Sequence, residues 1–208
     1  MKLKKPKISH CESKTLLECL YGNEFYKGKF NEYIDENLEL KSYTFDSCIF
    51  ENMDFNNVKL ENIELIDVVF RNCDLSNQNF DRQMINRVVF ENCKLMGTSF
   101  IDSSFNDTEF NNSNCKYINL SSARINNLKI EDSDFSESRF NECELKNIEF
   151  MNVNFYRSEF LKTSLKNIDF SECDITGIMF DKRALEGVII NQFQAYQIAL
   201  MFGVQIKN

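Results

Sequence analysis

The chain is short of the residues that break or link structure: one proline, Pro6, and six glycines in 208 residues. No Pro- or Gly-rich stretch marks a linker, so a single domain is expected. There is one histidine, His10, beside Cys11, with Cys19 further on. One imidazole and two thiols fall short of the three or four ligands at set spacing that a metal site needs. A Ser–His–Asp set and a Gly-rich phosphate loop are also missing, so neither catalysis nor a cofactor is expected. Positive charge is in deficit, with 24 Lys and Arg against 32 Asp and Glu and a net charge of −8. That argues against direct binding of nucleic acid, because phosphate contacts need cations. No apolar run approaches the length of a membrane span. The opening Met1-Lys2-Leu3-Lys4-Lys5-Pro6-Lys7 lacks an apolar core, so no secretion signal is read and a cytoplasmic protein is expected.

What is present is a repeat of period five. From Leu40 to Ile190 every fifth residue is a centre, and 30 of the 31 centres are Phe, Leu or Ile, the exception being Cys115. They take 16 of the 20 Phe residues. On an α-helix five steps rotate a side chain by about 140°, which scatters the centres around the surface. On a flat strand, residues five apart face opposite ways. All centres point inward only if the backbone turns a corner every five residues. Four corners close a square coil of about 20 residues, and each coil pairs with the next as in a parallel ladder. The residue two before each centre forms a second inward column, small or medium in size, as in Cys48, Val68, Thr98, Ser113 and Ile168. Gln78, Gln83 and Arg183 break that column, and a widened corner or a small bulge is expected around Gln78 to Arg87.

The units Cys73-Asp74-Leu75-Ser76-Asn77, Ser133-Asp134-Phe135-Ser136-Glu137 and Cys173-Asp174-Ile175-Thr176-Gly177 resemble the pentapeptide-repeat family. The resemblance implies an all-β fold, a right-handed quadrilateral β-helix. Residues 38–190 are expected to form it. Residues 1–37 are expected to cap and enter the first coil, with a helix near Lys14 to Tyr21 capped by Ser13. Phe25 and Phe30 already share the phase, and Asp35 interrupts it. Five of the eight cysteines (Cys48, Cys73, Cys93, Cys143 and Cys173) occupy the small inward column, where they read as buried free thiols. Cys73 and Cys93 should stack on adjacent coils, at a spacing that does not by itself exclude a bridge.

One of the four sides is acidic. Its outward positions hold Glu51, Glu91, Glu109, Glu131, Asp132, Glu149, Asp169 and Glu172 against Arg71 and Lys129, a net of −6. These are the candidate partner-binding residues. Residues 191–208 read as a C-terminal α-helix and tail, with Asn191 as N-cap and Gly203 at C′. The helix is apolar nearly all round. One face, near Phe193, Ile198 and Phe202, is expected to plug the last coil, and the helix as a whole, through Phe193, Ala195, Tyr196, Ile198, Ala199, Leu200 and Phe202, to pair with a second copy of the chain.

The order Leu185-x-Gly187-Val188, Phe193-Gln194-Ala195 and Gly203-Val204 looks like the C-terminus of the Qnr quinolone-resistance proteins. That resemblance implies a tail-to-tail homodimer that imitates duplex DNA, binds the type II topoisomerases DNA gyrase and topoisomerase IV, and protects them from quinolones. Some Qnr proteins carry loops between coils; the unbroken phase leaves no room for obvious ones here, which points to the loop-free type. The alternative is a structural or scaffolding β-helix rod with another protein partner.

Overall fold

The computed structural model describes residues 2–34 and 37–207. Met1 and Asn208, the outer ends of the first and last expected segments, and Asp35, where the phase breaks, lie outside the described residues. The chain winds into a β-solenoid of about eight turns. Five eight-residue strands, Glu64–Arg71, Met84–Glu91, Ser104–Asn111, Arg124–Glu131 and Glu144–Met151, stack in parallel. Their registers join residues twenty apart, as in Phe70 with Phe90, Phe110 with Ile130, and Ile130 with Phe150. The ladder already includes Phe25 opposite Phe45 and Phe30 opposite Phe50.

The corners have a local cause. The residue two after nearly every centre takes a left-handed backbone, φ from +47 to +63 between Ser42 and Asn167, with Gly97 at +69 in the same series. Asn and Asp recur there because their short polar side chains tolerate this region best. Arg82, Tyr117 and Lys162 adopt it as well, each tied by its N–H to the next coil, at the Ile101 carbonyl, the Ser136 carbonyl and the Asp181 carboxylate respectively. One left-handed residue in five turns the chain at each corner, so the period of five is the period of the bend.

The centres fill the tube. Phe30, Phe50, Phe70, Phe90 and Phe110 are fully buried and stack in one column, with ring centroids 4.7, 5.0, 5.3 and 4.8 Å apart and interplanar angles of 13° or less. The small inward column has a polar task as well as a steric one. The hydroxyl or thiol there donates to a carbonyl 23 residues earlier: Thr98 to Leu75 at 2.8 Å, Ser158 to Phe135 at 2.8 Å, and Cys143 to Leu120 at 3.0 Å. Ser, Thr and Cys therefore fit a wall that is otherwise apolar without leaving a buried polar group unpaired. All eight cysteines are free. Burial pushes the Cys48 and Cys143 thiols up to about 12, which keeps them protonated and inert near neutral pH.

The section around Gln78 has a widened corner. Val58–Glu61 pairs with Leu38–Lys41 on one side. Among the described residues no β-bridge joins 58–61 to 78–81. Gln78 is too long to pack inward as a small residue does, and its amide takes the place of the missing ladder bonds. Nε2 donates to the Val58 and Phe55 carbonyls, both at 2.9 Å, and Oε1 accepts from the Leu60 N–H at 3.2 Å. A groove of about 1030 Å³ follows this seam, walled by Asn57, Lys59, Asn77 and Asn79. Gln78→Ala removes all of these bonds and is expected to destabilise the rod by about 1–3 kcal/mol, the cost of leaving backbone groups short of partners. A thermal melt checks this; an unchanged midpoint would remove Gln78 from the ladder.

The two ends are closed by helices. α1 (Leu16–Gly22) buries Leu16 and Cys19 against the first coil. Its N-cap is Thr15, not the expected Ser13: Thr15 and Glu18 form a reciprocal capping box, while Ser13 lies in a short strand opposite Lys29. At the other end Asn191 caps α2 (Gln192–Met201), again through a capping box, with Gln194. Gly203 follows with φ +76.

Candidate partner-binding face

The expected plug of the last coil is corrected by the structure. Phe193 is 84% exposed, and Gln194 goes inward at 4%. The capping box sets this rotation. Gln194 Oε1 accepts from the Asn191 N–H at 2.8 Å, and Nε2 donates to the Phe170 and Cys173 carbonyls, both at 2.7 Å. The Phe170 carbonyl also accepts from the Cys173 N–H at 2.8 Å, so it is the Cys173 carbonyl that Gln194 supplies with a partner at the open end of the coil. Ile198, one turn further on the same face, packs half-buried on the core. Phe202 is 41% exposed and lies 6.3 Å from the Phe180 ring. Tyr196, Leu200, Met201, Val204 and Ile206 are all exposed, as is Ala195, while Ala199 is half-buried. α2 therefore presents a broad apolar surface away from the rod.

The acidic side is a set of columns along the axis, and much of its charge is paired. Glu51 is bridged by Lys29 at 2.8 Å and Arg71 at 3.1 Å, and Arg71 continues to Glu91 at 2.8 Å. Hydrogen bonds from Lys29, then Arg71, hold the Glu51 carboxyl below the usual carboxylate range. Lys129 stands between Glu109 and Glu149 in the ladder and pairs with Glu131 at 2.5 Å. Asp132 accepts from the Asn152 amide at 2.8 Å, and Asp169 from the Ser171 N–H at 2.8 Å. Glu172 is exposed.

A contact that sequence reasoning did not find crosses this side. The lysine-rich N-terminal arm lies on it. The Lys4 N–H donates to Asp107 Oδ1 at 3.1 Å, the Lys7 N–H to Asp67 Oδ1 at 2.7 Å, and the Lys5 ammonium pairs with Glu109. Arg87 grips Asp67 from below with two bonds of 2.6 and 2.7 Å. Burial works to raise the Asp67 pKa, but the Arg87 fork and the Lys7 N–H outweigh it, and the carboxyl sits below its ordinary range. The only sequence signal was the cluster of four lysines in an acidic chain.

Among the described residues no group of three or more His, Cys, Asp or Glu could hold a metal ion. Among the same residues no helix is long and apolar enough to cross a membrane.

Stacked twenty-residue coils, inward centres and left-handed corners define a β-solenoid built from five-residue units. A family profile described as pentapeptide repeat region matches residues 63–140 and 131–200, and the chain belongs to the pentapeptide-repeat family. No curated protein matches it. Similar solved structures include full-length QnrB1, a plasmid-mediated fluoroquinolone resistance protein, at 18% identity, covering 86% of this chain and 89% of that one with a TM-score of 0.47. HetL, involved in heterocyst differentiation regulation in Nostoc sp. strain PCC 7120, is 10% identical over 85% of this chain and 96% of its own, with a TM-score of 0.39. A pentapeptide repeat protein of the Arabidopsis thaliana thylakoid lumen is 16% identical over 61% and 71%, with a TM-score of 0.30.

Proposed function

We propose that this protein is a DNA-mimicking binding protein that occupies the DNA site of a type II topoisomerase, DNA gyrase or topoisomerase IV, and protects it from quinolones. The observation that carries the reading is the C-terminal pattern Leu185-x-Gly187-Val188, Phe193-Gln194-Ala195, Gly203-Val204, which resembles Qnr proteins. The shape agrees with it. Residues 38–192 make about 7.75 coils, and at ~4.8 Å per coil the rod is roughly 37 Å long. The partner face is the acidic side: Glu51, Glu91, Glu109, Glu131, Asp132, Glu149, Asp169 and Glu172. The test is supercoiling by purified gyrase with a fluoroquinolone, with and without the protein. Restored supercoiling is expected; none would remove the topoisomerase reading.

The same proposal has the chain act as a homodimer through α2, with Phe193, Ala195, Tyr196, Ala199, Leu200 and Phe202 at the interface and Ile198 beneath them, between the helix and the core. The exposed apolar surface of the helix supports this, because solvent contact is its least favourable state. Two rods end to end reach about 74 Å, twice the ~37 Å of one. Leu200→Arg places a charge in that interface and is expected to give monomers. Sedimentation at micromolar concentration reads the outcome, and an unmutated protein that sediments as a monomer would contradict the interface.

A further inference from the structure

We infer that the face over Asp67, Arg87 and Asp107 is a docking site for an extended lysine-rich segment, and that residues 3–8 of the chain occupy it in cis. Spacing is the first argument. Lys4 is anchored at Asp107 and Lys7 at Asp67, two coils away. Three extended residues span about 10 Å, and two coils span about 9.6 Å. The arm therefore runs along the axis, across the strands, with one anchored amide every two coils. Pro6, which has no N–H to place, falls between them.

Burial is the second argument. Asp67, Asp107 and Glu109 occupy outward positions, yet they are only 5, 7 and 7% exposed. Leu3, Pro6 and Ile8, between and beside the anchored lysines, are half-buried.

The manner of attachment is the third. The bonds from Lys4, Lys5 and Lys7 all run to carboxylates, whereas ladder pairing begins at Glu12 opposite Gly28. The arm can leave without breaking a ladder bond. What replaces it must offer the same chemistry: an extended backbone with N–H donors at this spacing and flanking ammonium groups.

This site joins the proposed function at one point, and that step rests on the topoisomerase reading. A DNA-binding surface is rich in Lys and Arg because it contacts phosphates. Such a surface competes with the arm for Asp67, Asp107 and Glu109, so the arm sets a threshold that a basic partner must exceed.

The test uses the full chain with Lys4→Glu, Lys5→Glu and Lys7→Glu together, which repels the arm from the three carboxylates, and a fluorescent peptide with the sequence of residues 2–10. The peptide is expected to bind this variant at least ten-fold more tightly than the unmutated protein. Adding Asp107→Asn and Glu109→Gln to the variant is expected to abolish that gain. Equal binding to variant and unmutated protein, or binding to neither, overturns the proposal.

A second measurement needs no variant. In the unmutated protein the Lys4 and Lys7 amides are expected to exchange slowly at low salt. They should exchange at least ten-fold faster near 1 M salt, where the screening length falls to about 3 Å. Fast exchange at low salt also overturns it. Neither readout involves a topoisomerase, so failure here and failure of drug protection are separate results.

Discussion

Phe90→Asp is expected to unfold the rod. Phe90 has no exposed surface and stacks between Phe70 at 5.3 Å and Phe110 at 4.8 Å. Removing a buried Phe side chain costs about 3–5 kcal/mol. An unpaired buried carboxylate adds several kcal/mol more. Together these approach the roughly 5–15 kcal/mol that hold a typical domain. Because each coil contacts only its neighbours, damage at Phe90 separates the coils before it from those after it. Phe90→Leu keeps the site apolar and should cost far less. Circular dichroism melts of the two variants check the account; a folded Phe90→Asp protein with an unchanged melt would contradict a closed core.

Reversing Glu91, Glu131 and Glu172 to Lys is expected to abolish protection of gyrase from a fluoroquinolone while leaving the melt near that of the unmutated protein. All three side chains point outward, and none is buried. Glu109 is left out because the arm covers it. Magnitudes explain why three changes suffice. The repeat region carries about −10 by formal count. A duplex of ~37 Å carries roughly 22 charges at one per ~1.7 Å. The rod is thus less than half as charged as DNA, and turning three carboxylates into ammonium groups moves its net charge by +6, leaving about −4. Charge alone cannot match DNA even before the change, so shape and placed contacts supply the rest. Full rescue by the triple variant would remove the acidic side from the mechanism.

The tube was legible in the sequence because a period of five admits one solution that buries every centre. The unbroken phase also located the fault at Gln78, where a long polar residue stands in a small column. What that residue does was not legible. Its bonds to Val58 and Leu60 arise where the regular ladder lapses between two stacked coils, and a repeat pattern that predicts the stacking does not encode a lapse in its pairing. Nor does it show why Ser, Thr and Cys recur inward, since their acceptor lies 23 residues back. α2 was legible as a helix with its cap. Its inward face was misread because apolar residues ring the helix and burial of Gln194 rests on coil-end carbonyls that need a partner. The arm left the weakest trace. Lys4 and Asp107 are 103 residues apart, and only opposite charge links them in the sequence.

The most direct measurement is displacement of a labelled DNA duplex from purified gyrase by the unmutated protein, followed across a salt series. The account predicts saturable displacement, with a salt dependence shallower than that of DNA itself because fewer charges are involved. Gyrase that keeps its DNA at every protein concentration, in low and high salt alike, would contradict it.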